Sequence, residues 1–124
     1  MSKVLIVDDD AFLLDMYSIK FKESGFSVEI ARNGEEAISK AKSASPDVIL
    51  LDIVMPKMDG LAVMRELKKG IVPDSTIIIL TNLGQKEDVE RGLKSGADDY
   101  IVKAHFTPSE VVSKVKNLLI KRKT

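Results

Sequence analysis

At 124 residues the chain fits one domain, and its 44% hydrophobic and 31% charged residues are those of a folded globular protein, not a disordered one. Basic and acidic residues balance at 19 each, which argues against direct nucleic-acid binding or attachment to a membrane surface. Cysteine is absent, so disulfides and thiolate metal sites are excluded and a reducing, cytoplasmic setting is expected. In chain order, Val4-Leu5-Ile6-Val7 reads as a strand, followed by a helix over residues 11 to 24 carrying Leu13, Leu14, Met16, Tyr17 and Phe21 at helical spacing. The run from Phe26 to Ile30 alternates, with Phe26, Val28 and Ile30 on one side, and reads as an edge strand. Asn33-Gly34-Glu35-Glu36 forms a capping box for a helix through Ala37, Ile38 and Ala41.

Val48-Ile49-Leu50-Leu51 is continuous, as in a strand buried on both faces. A helix over 60–69 carries Leu61, Met64 and Leu67, with Gly70 as its stop. Ile77-Ile78-Ile79-Leu80 is another buried strand, and a helix over 86–95 carries Val89 and Leu93 and is closed by Gly96. Tyr100-Ile101-Val102 is the fifth run. Thr107-Pro108-Ser109-Glu110 opens a last helix with Val111, Val112, Val115, Leu118 and Leu119 as its stripe, and Lys121-Arg122-Lys123 complements its negative end. Five β-α units predict a doubly wound α/β domain with a five-stranded parallel sheet and five helices. No apolar run approaches the roughly 20 residues of a membrane span, and the first residues do not read as a signal peptide. The expectation is a single domain over 1–124 with no output domain visible.

Ligands of an open parallel sheet bind beyond the carboxyl ends of its strands. The first run ends in Asp8-Asp9-Asp10, the second in Ala31-Arg32, the third in Asp52, the fourth in Thr81-Asn82 and the fifth in Lys103. Asp9 or Asp10 can cap the first helix. Carboxylates gathered at one rim repel one another unless a cation joins them. All-oxygen donors with no His or Cys nearby suit Mg²⁺. Metal, anion, lysine and hydroxyl together describe a phosphoryl site.

The pieces VLIVDDD, LLDIVMPKMDG, IILTN and GADDYIVK, in this order, resemble the receiver domain of two-component response regulators, of the chemotaxis-regulator kind, from end to end. The resemblance implies a flavodoxin-like sheet of order 2-1-3-4-5. It implies that Asp52 accepts a phosphoryl group from the phosphohistidine of a sensor histidine kinase or phosphotransfer protein. Asp9 is similar to the direct Mg²⁺ ligand (Mn²⁺ would take the same donors) and Asp8 to its neighbour holding metal-bound water. Asp52 and the Val54 backbone carbonyl complete the implied protein ligands. Lys103 resembles the residue paired with the phosphoryl oxygens, Thr81 the hydroxyl drawn onto one of them, and Tyr100 the aromatic that swings inward. The implied output surface runs from about Gln85 to Lys121 and would engage an unknown downstream protein.

Two positions depart from the family pattern. Asn82 stands where Ala or Gly is usual and is expected to crowd the site; Ala104 stands where Pro is usual, so a cis Lys103–Ala104 bond would be costly. Val54 and Leu83 are apolar, which predicts slow self-dephosphorylation. His105 reads as a loop polar, Met55 and Met58 as packing around Pro56, Asp59 and Asp98-Asp99 as caps or solvated acids, and Tyr17 as core. A phosphohydrolase of the haloacid dehalogenase type, with Asp8 as nucleophile and Asp10 as acid, would leave LLDIVMPKMDG without a role. A receiver-like module working without phosphorylation would leave the complete acidic, basic and hydroxyl set without one.

Overall fold

A computed structural model describes residues 2–55, 58–82 and 85–123, apart from the side chains of Val54, Met58, Arg122 and Lys123. Pro56 and Leu83, singled out above, lie outside the described residues. Five parallel strands form one sheet: β1 (Lys3–Val7), β2 (Ser27–Ala31), β3 (Val48–Asp52), β4 (Thr76–Thr81) and β5 (Asp99–Val102). Their order is β2-β1-β3-β4-β5, as expected, with the alternating β2 at an edge. The helices are α1 (Ala11–Glu23), α2 (Gly34–Ala44), α3 (Gly60–Glu66), α4 (Lys86–Lys94) and α5 (Pro108–Lys123). Among the described residues no helix is long and apolar enough to cross a membrane.

The continuous Val/Ile/Leu runs exist because both faces of the sheet are covered. Successive residues of a strand point to opposite faces. Val4, Ile6, Val48, Leu50, Ile78 and Leu80 join Leu14, Tyr17 and Phe21 of α1 and Val111 and Val115 of α5 in one core. Leu5, Val7, Ile49, Leu51, Ile77 and Ile79 join Ala37 and Ala41 of α2 and Val63 and Met64 of α3 in the other. Asp52 continues the first alternation, two residues beyond Leu50. It lies within β3, paired in register with Leu80 of β4, so its carboxylate rides on the sheet and not on a loop.

Local signals set most boundaries. Asp10 caps α1 through the Phe12 and Leu13 N–H groups, and Asp59 caps α3 through those of Leu61 and Ala62. Thr107 and Glu110 form the reciprocal box at α5. At α2 the box is shifted: Asn33 accepts from Glu36 N–H, but Glu36 reaches back to the Arg32 N–H. Gly96, at φ +120°, lies just past α4. Gly70 does not stop the third helix. The chain passes through it in a widened π-helical turn, Leu67–Ile71, and ends at Val72, whose φ of −138° and ψ of 66° are those of a residue held out of the helix by the following Pro73. Between β3 and α3, residues 54–55 and 58–59 pair as a short antiparallel hairpin that the sequence reading did not anticipate.

Candidate functional site

The ends of β1, β3 and β5 converge on one charged cluster. Asp8, directly after β1, is fully buried, and Asp52 is 2% exposed. Asp9 is exposed, and one ligand oxygen from each of Asp8, Asp9 and Asp52 lies within 4.8 Å of the others. Two buried acids that close are unfavourable without a counter-charge. Lys103 supplies it: its Nζ donates to Asp8 Oδ2 at 2.7 Å and to Asp52 Oδ2 at 3.0 Å. Burial alone would lower the lysine pKa. The hydrogen bond that Lys103 donates to Asp8 and the charges of Asp52 and Asp8 outweigh it, and the lysine pKa is held above its ordinary value. Asp8 Oδ1 also accepts the Asp10 N–H at 3.0 Å, which fixes the turn into α1.

Lys103 opens a short 3₁₀ turn through His105, and the Lys103–Ala104 bond is trans, so the departure from proline is met without a cis peptide. His105 is exposed, in line with a loop polar. Gly60 holds the approach to the site together: a Cβ there would lie 2.5 Å from Ile53 Cα and 2.7 Å from its carbonyl oxygen. Only a glycine lets the start of α3 pass this close to the backbone that follows Asp52. Met55 is buried, as packing predicts.

Thr81 ends β4 and is 1% exposed. Its hydroxyl donates to Gln85 Oε1 at 2.8 Å, with the Asn82 carbonyl at 3.2 Å. The same Gln85 oxygen accepts the Asn82 N–H at 2.9 Å. The Asn82 residue itself is exposed. Tyr100 is 41% exposed and lines a cavity of about 310 Å³ with Thr81, Gln85, Val89, Leu93 and Val102. The expected set is thus brought together in two parts. Asp8, Asp9, Asp52 and Lys103 form the charged cluster; Thr81 and Tyr100 share the cavity beside α4. Val54 lies two residues after Asp52, in the hairpin.

The sequence reading missed the contact of Gln85 with Thr81 and the charged surroundings of Tyr17. Gln85 is visible only as a polar residue four positions after Thr81. Tyr17 is core, as expected, yet its phenol feels the charges of Lys103, Asp8 and Asp52. Burial raises its pKa, with Lys103 opposing. Asp10, the acid of the phosphohydrolase alternative, is occupied as the α1 cap.

A family model described as "Response regulator receiver domain" matches residues 4–116. The chain belongs to the response regulator receiver family. A probable transcriptional regulator ycf27 from Guillardia theta is 43% identical over 117 residues, 94% of this chain and 45% of that protein. The transcriptional regulatory protein ResD of Bacillus subtilis is 41% identical over 119 residues, 95% of this chain and 48% of that one. This receiver therefore spans about half the length of the curated relatives it matches. Among solved structures, a CheY-like receiver domain protein from Methanospirillum hungatei superposes with a TM-score of 0.91 at 30% identity, covering 99% of this chain and 97% of that one.

Proposed function

We propose that this receiver accepts a phosphoryl group on Asp52 and signals through Thr81 and Tyr100. The observation that carries the reading is Lys103 bridging two buried acids, Asp8 and Asp52, beside the exposed Asp9. An Asp52 carboxylate oxygen forms a bond to phosphorus as the bond from phosphorus to the donor's imidazole nitrogen breaks. The imidazole leaves with the electron pair and the product is an acyl phosphate. Lys103 stays charged and near, so it can move from the carboxylates to the incoming phosphoryl oxygens.

The donor set fits a hard divalent cation: every candidate ligand atom is oxygen, and three carboxylates already converge. Asp9, Asp52 and the Val54 carbonyl would hold Mg²⁺ directly and Asp8 through water, and Mn²⁺ would take the same donors. Bound there, Mg²⁺ neutralises charge shared by the acid and the phosphoryl oxygens.

Phosphorylation gives Thr81 an anionic acceptor that it lacks at rest. That differential contact is what can shift a two-state equilibrium. Tyr100 then turns into the cavity next to Thr81, and the surface of α4, β5 and α5 changes. The phosphoryl donor is a sensor histidine kinase or a phosphotransfer protein. Because the matched relatives are named transcriptional regulators of about twice this length, the output is proposed to be a further segment or a separate downstream protein reading that surface. The test is intact mass after acetyl phosphate with and without Mg²⁺. One added phosphoryl group is expected in the wild type with Mg²⁺, none in Asp52→Ala, and a reduced amount in Asp8→Ala. Labelling that follows Asp8 and ignores Asp52 would overturn the reading.

A further inference from the structure

Gln85 occupies the N-cap position of α4, yet its side chain caps none of the helix's own N–H groups. It turns back onto the end of β4, where Oε1 accepts from the Thr81 hydroxyl at 2.8 Å and from the Asn82 N–H at 2.9 Å. A backbone N–H can only donate, so the amide oxygen and not its nitrogen must face this pair. Two donors fill the two lone pairs of that oxygen. Thr81 is buried, and the alternative acceptor in contact, the Asn82 carbonyl, is farther at 3.2 Å.

We propose that Gln85 is a positioning residue that latches Thr81 in its resting orientation and ties the hydroxyl to the start of α4. The proposal rests on the reading of Asp52 as phosphoryl acceptor. A hydroxyl has one proton, so Thr81 cannot donate to Gln85 and to a phosphoryl oxygen at once. The charged acceptor makes the stronger bond, but it gains only the difference between the two. Gln85 therefore lowers the affinity of the site for a phosphoryl-like group. Release of the hydroxyl on phosphorylation removes one of the two hydrogen bonds that anchor the start of α4 to the strand end, leaving the one from the Asn82 N–H. Removing the latch is expected to tighten that affinity about fivefold, the worth of one neutral hydrogen bond.

The experiment is titration of the full chain with fluoroberyllate and Mg²⁺, a stand-in for the phosphoryl group, with melting temperatures recorded in parallel. Gln85→Met should tighten binding about fivefold. Gln85→Glu keeps an acceptor oxygen and should not tighten it. In a Thr81→Val background, Gln85→Met should change nothing, because there is no hydroxyl left to release. Unchanged or weaker binding by Gln85→Met, or equal tightening with and without the Thr81 hydroxyl, would overturn the latch. A lower melting temperature without tighter binding would likewise mean a purely structural role. If the folded wild type binds no fluoroberyllate, the acceptor reading falls and the latch with it. If the wild type binds and Asp52→Ala does not, the acceptor reading stands and the Gln85 comparison alone decides.

Discussion

Replacing Lys103 by methionine removes the cation that, among the described residues, bridges the buried acids. The ammonium lies 2.7 Å from Asp8 and 3.0 Å from Asp52. Without it, two buried carboxylates remain with ligand oxygens within 4.8 Å of each other. At that separation and an effective dielectric of about 20, their repulsion is about 3.5 kcal/mol. The loss has a ceiling, because one carboxyl can take up a proton instead. For an ordinary aspartate that costs about 4 kcal/mol at pH 7 and about 1.5 kcal/mol at pH 5. Metal-free Lys103→Met should therefore lose about 3 kcal/mol at pH 7, in the range for breaking a buried pair, and half of that or less at pH 5. Urea unfolding at the two pH values measures it. Mg²⁺ should restore much of the loss, and so should adding Asp52→Asn, which removes one of the opposed charges. A loss equal at both pH values, and untouched by Mg²⁺ or Asp52→Asn, would refute the electrostatic argument. It would mean that Lys103 acts through the packing of its methylenes.

Gly60→Ala drives a Cβ to 2.5 Å from Ile53 Cα, so it should cost about 1–3 kcal/mol and weaken Mg²⁺ binding, both read by thermal melts with and without the metal; a stability equal to wild type would contradict the close approach. Tyr17, through burial, and Lys103, through Asp8 and Asp52 prevailing over burial, both hold their protons more tightly in the folded state. The unfolded chain releases those protons first, so stability is full below about pH 10 and falls as pH rises past it. Tyr17→Phe should flatten that fall between pH 9.5 and 11 in urea titrations, and an unchanged slope would contradict it. Val54 offers no polar group to orient water, so the phosphorylated protein should decay slowly and Val54→Asn should speed the decay. A rapid wild-type decay that the substitution slows would count against this.

The fold was legible because one physical condition, a sheet covered on both faces, writes itself into the chain as unbroken Val/Ile/Leu runs. The alternating run from Phe26 to Ile30 marked the edge for the same reason in reverse. Gly70 misled because a stop signal was read from glycine alone, while the restraint that ends the helix comes from Pro73 acting on Val72. In the site, Asp8, Asp52 and Lys103 were legible as polar residues at the ends of apolar strands. Their pairing was not, because which acid a lysine reaches depends on the sheet order and the 3₁₀ turn at Lys103. Gln85 was hidden for a further reason. Its place after a strand and before a helix is that of any loop polar, and only the direction of its side chain, back toward Thr81, sets it apart.

The most direct measurement of the central claim is the chemical location of the phosphoryl group. The chain would be phosphorylated with phosphoramidate and Mg²⁺, reduced with borohydride, which converts an aspartyl phosphate to homoserine, and mapped by peptide mass. Homoserine at position 52 alone, dependent on Mg²⁺, is the predicted result. Homoserine at position 8, or a stable phosphoester elsewhere with Asp52 unmodified, would contradict it.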